Sequence, residues 1–226
     1  MVGIGSPRIE RVRSASAFWS ARAKQFDGYY ELKHWWDHLL HRPLQIRHDA
    51  AMAMVHSLHA PVVCDVGCGS GRQLEAALEA GASRGVGIDV SAEMVRLARD
   101  RLVRSGCAER VSIHTGDVLD WQPEEQFDLV WALGVFDYEK TPGPLLKKLH
   151  SLSRGHALFT FRRAWAFRSP FRKLTYQLRG QPIYLHTRWS IRSELRAAGF
   201  HDIWVERLTA GLYLARARTA PTRVAE

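Results

Sequence analysis

The sequence predicts an α/β protein built around a mostly parallel sheet. Short apolar, β-branched runs recur along the chain, and stretches with apolar residues at helical spacing separate them. One such run, Val62–Val66, leads directly into a loop with a glycine at every second position, at Gly67, Gly69 and Gly71. A stretch with helical spacing follows at once. This order predicts a loop at the carboxyl end of a parallel strand, which is where open α/β sheets bind ligands.

The spacing of the glycines indicates the kind of ligand. A dinucleotide-binding loop has the pattern G-x-G-x-x-G, which would place a glycine where this chain has Arg72. The pattern here is Asp65-x-Gly67-x-Gly69-x-Gly71. It resembles the nucleoside-binding motif of the class I S-adenosylmethionine-dependent methyltransferases. The resemblance implies that Asp65 and the three glycines bind S-adenosylmethionine, the methyl donor; a tight turn without a ligand is the alternative.

Composition limits the size and the partners of the protein. A chain of 226 residues can form one α/β domain with a sizeable core, but it is short for two. The net charge of +9 favours an anionic substrate, nucleic acid or an anionic membrane surface, although a basic surface without a partner is the simpler alternative.

The cysteines and the apolar runs indicate the compartment. Three cysteines with no clear metal-ligand spacing favour a reducing, cytoplasmic setting. No apolar run is long enough to span a bilayer, and the first 13 residues lack the apolar core of a secretory signal. We therefore expect a cytoplasmic protein, with peripheral contact to the inner face of a membrane as a further expectation.

The first sixty residues are predicted to form a helical cap ahead of the sheet. Apolar spacing predicts helices over Ala15–Phe26, Tyr30–Leu40 and, after Pro43, Leu44–Leu58. The many aromatic residues here can simply pack these helices on the sheet. The segment Phe26-Asp27-Gly28-Tyr29-Tyr30 resembles a lid found ahead of the core in many small-molecule methyltransferases. That resemblance implies that Tyr29 or Tyr30 folds over the bound donor.

The second strand ends in an acid about twenty residues after the glycine loop. A carboxylate at the end of the neighbouring strand can accept hydrogen bonds from both ribose hydroxyls of a nucleoside that lies across the switch point. Asp89 is therefore the predicted ribose ligand. Its alternative role is to cap the next helix, Ala92–Val103, but Ser91 already occupies the capping position. Val90 and Met94 are expected to offer apolar surface to the adenine ring.

The third and fourth strands complete the predicted donor site. The third, Arg110–Val118, again contains a Gly-Asp pair near its end. The family resemblance implies that Asp117 binds the adenine amino group and that the backbone N–H of Val118 reaches a ring nitrogen. Asp120 is the rival for the acid, or a solvated turn residue. Leu133, near the end of the fourth strand, is placed beside the donor.

The resemblance, which covers Pro61–Leu152, implies a whole fold. It is a three-layer α/β/α sandwich around a seven-stranded, mostly parallel sheet whose last strand is antiparallel. The remaining strands are assigned to Ala157–Phe161, Asp202–Leu208 and Gly211–Arg218, and a helix capped by Ser190 is assigned to Ser190–Gly199. The chain then forms a single domain: a helical cap (1–60), a donor-binding core (61–161), a basic insert (162–192), and a closing helix and hairpin (193–218).

The chemistry of such a site is an in-line displacement at a sulfonium methyl group. Because the donor is already activated, the protein has to align the acceptor and exclude water, and no metal is expected. A hydroxyl acceptor also needs a base. Asp137 and Tyr138 follow the fourth strand; Asp137 is a candidate base, with a turn-stabilising role as the alternative. His186 is a second acid/base candidate, and a structural histidine is its alternative.

A basic, aromatic segment follows the core. Between Glu139 and Glu194 the chain has no acidic residue but 12 Lys and Arg residues, with six Trp, Tyr and Phe side chains interleaved over residues 165–189. This composition favours an anionic acceptor or an anionic membrane surface over a nucleic-acid partner, and a solvated basic face is the alternative. The predicted function is methyl transfer from S-adenosylmethionine to O or N of an anionic or amphiphilic small molecule. An RNA methyltransferase and a non-catalytic, donor-binding scaffold subunit remain the alternatives.

Overall fold

The structure is a computed structural model that describes residues 15–21, 35–164 and 183–220, with residues 35–43 described through their backbone alone. The helices are α1 (15–21), α2 (Trp35–His56), α3 (Arg72–Glu79), α4 (Ala92–Arg104), α5 (Pro142–Leu152) and α6 (Arg188–Ala197). The strands are β1 (Val62–Val66), β2 (Arg84–Asp89), β3 (Val111–Thr115), β4 (Phe127–Ala132), β5 (Ser153–Arg162), β6 (His201–Arg207) and β7 (Leu212–Arg218). Single 3-10 turns cover Ala108–Arg110 and Phe136–Tyr138.

The strands form one seven-stranded sheet in the order β3-β2-β1-β4-β5-β7-β6. Strands β1 to β5 pair in parallel, and β7 is antiparallel to both of its neighbours. The strand order reverses at β1, which pairs with β2 on one side and β4 on the other, so the carboxyl end of β1 is the switch point of the sheet. The predicted fold class is confirmed.

Helices cover both faces of the sheet. On one face α2, α3 and α4 bury apolar residues against the central strands, in a cluster that includes Ala51, Val55, Leu74, Val95, Leu129 and Trp131. On the other face α5 and α6 do the same, in a cluster that includes Leu146, Leu149, Phe159, Ile191 and Leu195. Burial on both sides explains why β1 and β4 read as nearly continuous apolar runs. No helix in the described part of the chain is long and apolar enough to cross a bilayer.

Helix α2 corrects the predicted break at Pro43. The helix continues through this residue to His56. Proline lacks a backbone N–H and lowers helix stability, which is why the sequence predicts two helices there. Beyond Pro43, the side chains of Ala51 and Val55 are buried against the sheet, and this tertiary packing stabilises the second half of the helix.

Other boundaries also differ from the sequence prediction. Helix α6 is capped by Thr187 and not by Ser190, because the two side chains form a reciprocal capping box. Strand β3 ends at Thr115, three residues before the predicted end, since the backbone of Gly116 turns to bond the carbonyl of Asp89. Strand β5 begins at Ser153, four residues early, because its polar start pairs with β4, Ser153 with Phe127 and His156 with Leu129.

Candidate active site

The glycine loop turns back over the end of β2. The backbone N–H groups of Gly67 and Cys68 both donate to the carbonyl of Ile88, at 2.8 and 3.2 Å. The three loop glycines all have positive φ, a backbone conformation that residues other than glycine rarely adopt. A Cβ on Gly67 would lie 2.5 Å from a methyl carbon of Val135, so the loop after β4 packs directly on the glycine loop.

Asp89 ties this loop to helix α4. One of its carboxylate oxygens accepts a hydrogen bond from the N–H of Gly69 at 3.0 Å, and the other accepts one from the N–H of Ser91 at 2.8 Å. Burial raises the pKa of Asp89, and these two hydrogen bonds oppose the rise. Ser91 caps α4 by accepting from the N–H of Met94 at 3.2 Å. Each carboxylate oxygen has a second lone pair, so Asp89 can still accept hydrogen bonds from a ligand.

Asp65 is a buried carboxyl group at the switch point. Its side chain is 2% exposed, and among the described residues its Oδ2 has no hydrogen-bond partner. Burial raises the pKa of Asp65 to about 7; the charge of Asp89 raises it too, while the side chains of Trp131 and Arg47 lower it. The indole nitrogen of Trp131 lies outside hydrogen-bonding geometry, so we attribute its influence to its dipole. A buried oxygen without a partner is a place where a ligand can donate a hydrogen bond.

The other donor-side candidates lie at the same edge of the sheet. Gly116 donates to the carbonyl of Asp89 at 2.9 Å, which brings Asp117 next to β2. Asp117 is half-buried and accepts from the N–H of Leu119 at 3.0 Å, whereas its rival Asp120 is exposed. Met94, Val118 and Leu133 are buried and Val90 is half-buried. Tyr29 and Tyr30 lie outside the described residues, as does most of the basic insert (165–182).

Asp137 is the anionic half of a buried ion pair. Its Oδ2 accepts from Arg162 Nε at 2.9 Å and from Arg162 Nη2, while Oδ1 is buried without a partner among the described residues. Arg162 is the last residue of β5, so the pair lies at the carboxyl edge of the sheet. A charge-assisted contact of this kind orients the carboxylate.

His186 packs against the 3-10 turn Phe136–Tyr138, which also contains Asp137. Its Nε2 lies 3.3 Å from the carbonyl of Phe136, and its ring lies edge-on to Phe161. Because a carbonyl only accepts, Nε2 carries the proton in this contact and Nδ1 is left as an acceptor. Burial lowers the pKa of His186, although the Phe136 carbonyl and the charges of Asp137 and Glu194 oppose the shift. The ring is therefore neutral at neutral pH.

Helix α1 supplies two contacts that the sequence did not predict. The ring of Trp19 lies 5.3 Å from that of Tyr138, centroid to centroid, at the 3-10 turn after β4. Next to it, the Ser20 hydroxyl lies 2.8 Å from the hydroxyl of Ser91, beside Asp89. The Ser20 and Ser91 pair is separated by 71 residues, so no local pattern could reveal it.

The cysteines of the described residues form neither a disulfide nor part of a metal site. Cys64, Cys68 and Cys107 are free and buried. Within the described ranges, no group of three or more His, Cys, Asp or Glu side chains is placed to hold a metal ion. Burial raises the pKa of the Cys64 and Cys68 thiols well above the usual value, so both remain protonated at neutral pH.

Comparison with known proteins gives a family match over part of the chain. Residues 63–154 match a family model described as a methyltransferase domain. A ribosomal protein L11 methyltransferase from Pectobacterium carotovorum subsp. carotovorum (strain PC1) is 39% identical over 57 residues, which is 25% of this chain and 19% of that relative. The match thus spans about a fifth of the length of the curated relatives.

Two solved structures share the fold. Magnesium protoporphyrin IX methyltransferase from Synechocystis PCC 6803, with bound S-adenosylhomocysteine, has a TM-score of 0.73 and 20% identity over 91% of this chain and 98% of that one. The DhpI complex with S-adenosylhomocysteine has a TM-score of 0.65 and 18% identity, over 92% of this chain and 96% of that one. At this level of identity, the similarity shows the fold and does not indicate which acceptor molecule is methylated.

Proposed function

We propose that this chain, a class I S-adenosylmethionine-dependent methyltransferase by its domain match and its fold, transfers a methyl group to an oxygen or nitrogen atom of an anionic or amphiphilic small molecule. One observation carries the proposal. In a domain that matches this family, Asp89 holds the glycine loop and the start of α4 together at the switch point of the sheet.

The donor side suits a cationic nucleoside. Asp89 keeps a free lone pair on each oxygen for ribose hydroxyls, and Asp65 keeps a buried oxygen for a hydrogen-bond donor. A Cβ on Gly69 would meet no atom within 4 Å, so there is open space above the loop. Asp89 would give the site a negative potential, which matches the positive charge of the donor, and Asp65 would add to it where it has lost its proton, at pH above about 7.

S-adenosylmethionine, when bound, would supply a methyl group activated by a positively charged sulfur: the acceptor lone pair would bond to the methyl carbon as the C–S bond breaks and leaves its electrons on sulfur. The chain has to hold the acceptor in line behind that methyl group and to remove its proton where the acceptor is a hydroxyl. We assign the role of this base to Nδ1 of His186, which would take the proton of the acceptor hydroxyl, since the ring is neutral and its other nitrogen is fixed on the Phe136 carbonyl.

The acceptor side combines positive charge with aromatic surface. We assign Asp137 Oδ1 to a hydrogen bond from the acceptor, because Arg162 orients the carboxylate through the other oxygen. Tyr138, packed on Trp19, would form an aromatic wall. Besides Arg162, whose charge is matched by Asp137, the described ends of the basic insert carry Arg163, Arg188 and Arg192, which favour an anionic acceptor. Trp189, 79% exposed beside Arg188, would suit contact with an anionic membrane surface.

Calorimetric titration with S-adenosylmethionine and with S-adenosylhomocysteine tests the donor site. We expect micromolar binding to the wild-type protein and a loss of at least about 2 kcal/mol in Asp89→Asn, because a charged hydrogen-bond partner is removed. Asp100→Asn, an exposed acid on α4 that pairs with Arg96, is the control and should bind as the wild type does. Wild-type protein that binds neither compound would contradict the proposal.

A second experiment distinguishes the alternatives once binding is established. Labelled methyl transfer is screened with carboxylate, phosphate and lipid-linked acceptors, and we expect turnover in this set. Turnover only on RNA, with binding that weakens steeply as salt rises, would favour the RNA enzyme, since phosphate contacts release counterions. Donor binding without turnover on any acceptor would favour the scaffold subunit.

A further inference from the structure

The distal end of the glycine loop is held by a charged side chain that lies outside the predicted donor pocket. Arg101, on α4, donates from Nε to the carbonyl of Ser70 at 3.0 Å. Its Nη1 pairs with Glu75 Oε2 on α3 at 3.2 Å. The two side chains are 14% and 21% exposed, so the contact is largely shielded from water. One guanidinium thus joins the loop, α3 and α4.

The peptide unit between Ser70 and Gly71 is fixed at both of its polar ends. Its carbonyl binds Arg101, and its N–H donates to the carbonyl of Cys68 at 3.0 Å. Ala98, one turn before Arg101 on the same helix, packs on the loop, because a Cβ on Gly71 would lie 3.0 Å from that of Ala98. Three glycines in a short loop allow many backbone conformations, so such contacts decide which one is populated.

The proximal end of the loop is fixed without a charged side chain. Gly67 and Cys68 bond the backbone of β2, and the strand itself sets this geometry. Gly69 in the middle binds Asp89. The hydrogen bond that Arg101 makes to Ser70 therefore restrains the part of the loop that lies farthest from the sheet.

We infer that Arg101 is a positioning residue for the donor site: it holds the Ser70–Gly71 peptide so that the glycine loop keeps the conformation in which Asp89 binds it. The inference rests on the proposed function in one respect, that the ligand of this loop is S-adenosylmethionine. Arg101 contacts the loop from behind, through a backbone carbonyl, and acts on the donor through the loop.

The same helix offers a matched control. Arg96 is 51% exposed on the outer side of α4 and pairs with Glu93 and Asp100 at 2.8 and 2.7 Å. Both arginines therefore have acidic partners, but Arg96 bonds only Glu93 and Asp100 among the described residues, and both lie on its own helix. Exposed ion pairs of this kind contribute little to stability.

Calorimetry with S-adenosylhomocysteine compares Arg101→Met, Arg101→Lys and Arg96→Met with the wild type. We expect Arg101→Met to bind about tenfold more weakly, the effect of one lost charge-assisted hydrogen bond. Arg101→Lys should lose about threefold, because an ammonium can reach one of the two partners but lacks the planar fork that reaches both. Arg96→Met should match the wild type. Wild-type affinity in Arg101→Met would overturn the inference.

Hydrogen exchange of the ligand-free protein separates positioning from simple stabilisation. The N–H of Gly71, bonded to Cys68, reports on the loop, and the N–H of Val95, bonded to Ser91, reports on α4. We expect Arg101→Met to speed exchange selectively at Gly71. Equal acceleration at both amides, or no change at Gly71, would overturn the inference. If wild-type protein binds no donor, the proposed function fails, and exchange at Gly71 still decides whether Arg101 fixes the loop.

Discussion

Asp65 links the charge state of the site to the stability of the protein. In the folded chain its pKa is raised from 3.8 to about 7, mainly by burial, so the folded state keeps a proton that the unfolded chain releases near pH 4. Between these two pH values the folded state binds more protons. The contribution of Asp65 to the free energy of unfolding therefore falls as pH rises from about 4 to about 7, by up to about 4 kcal/mol.

Asp65→Asn should remove this dependence. We expect the free energy of unfolding of the variant, relative to that of the wild type, to increase as pH rises from 5 to 7. This difference should level off above pH 7. Urea denaturation at pH 5, 6, 7 and 8 measures it. Asp100→Asn, at an exposed position, serves as the control and should show no such trend. Parallel curves for Asp65→Asn and the wild type would contradict the prediction.

At the scale of residues, the sequence could predict which side chains lie at the sheet edge but not what they contact. Asp65, Asp89 and Asp117 were predicted because strand ends and glycines are visible in one dimension. The pairing of Asp137 with Arg162 and the contact of His186 with Phe136 join residues 25 and 50 positions apart. Such pairs follow from the order of the strands and from the place of His186 beside Arg163 at the end of β5, which the sequence does not encode locally.

At the scale of elements, the glycine loop and the loop after β4 are fitted to each other. Gly67 combines a φ of +74° with a distance of 2.5 Å between an added Cβ and Val135 Cγ2. Gly106 has a similar φ, +70°, but an added Cβ there would meet no atom within 4 Å. A substitution at Gly106 would therefore report the cost of backbone strain alone, whereas one at Gly67 would add the cost of steric overlap.

We expect Gly67→Ala to lower the free energy of unfolding by roughly 2–4 kcal/mol, and Gly106→Ala by about 1 kcal/mol, which is the cost of a left-handed backbone alone. Adding Val135→Ala to Gly67→Ala should recover most of the difference, because it removes the methyl group that overlaps. Urea denaturation measures all three variants. Equal losses in the two single glycine variants would show that the contact with Val135 is not tight.

Element boundaries were predictable where chemistry marks them. Helix α3 begins after Gly71 and α4 is capped by Ser91, as the sequence indicates. The prediction was wrong at Pro43, through which α2 continues although proline disfavours a helix interior, and at Ser190, where Thr187 was an equally good cap. The error at Ser190 comes from a reciprocal contact, the capping box that Thr187 and Ser190 form together.

At the scale of the whole molecule, α1 joins parts of the chain that are far apart in sequence. Through Trp19 it contacts the turn after β4, and through Ser20 it contacts the start of α4. The sequence predicted this helix but gave no reason to place it at the carboxyl edge of the sheet. The turn after β4 and the start of α4 both adjoin elements that contact the glycine loop, so we expect α1 to slow the exit of a donor bound at that loop.

Trp19→Ala should therefore speed the dissociation of S-adenosylhomocysteine, by about tenfold if the aromatic contact with Tyr138 is worth about 1.4 kcal/mol. Stopped-flow displacement measures the rate. Trp189→Ala removes an equally large but 79% exposed side chain and should leave the rate unchanged. An unchanged rate in Trp19→Ala would mean that α1 does not restrain the ligand.

The antiparallel course of β7 decides where the molecule can be attached to a surface. Leu212 pairs with Arg162 at the carboxyl edge, whereas Arg218 pairs with His156, and the N–H of Thr219 bonds Gly155 near the start of β5. The chain therefore leaves the sheet at the edge opposite the glycine loop. A biosensor linkage made after β7 would point the proposed donor site toward the solution, whereas a linkage near α1 would bring that site against the chip.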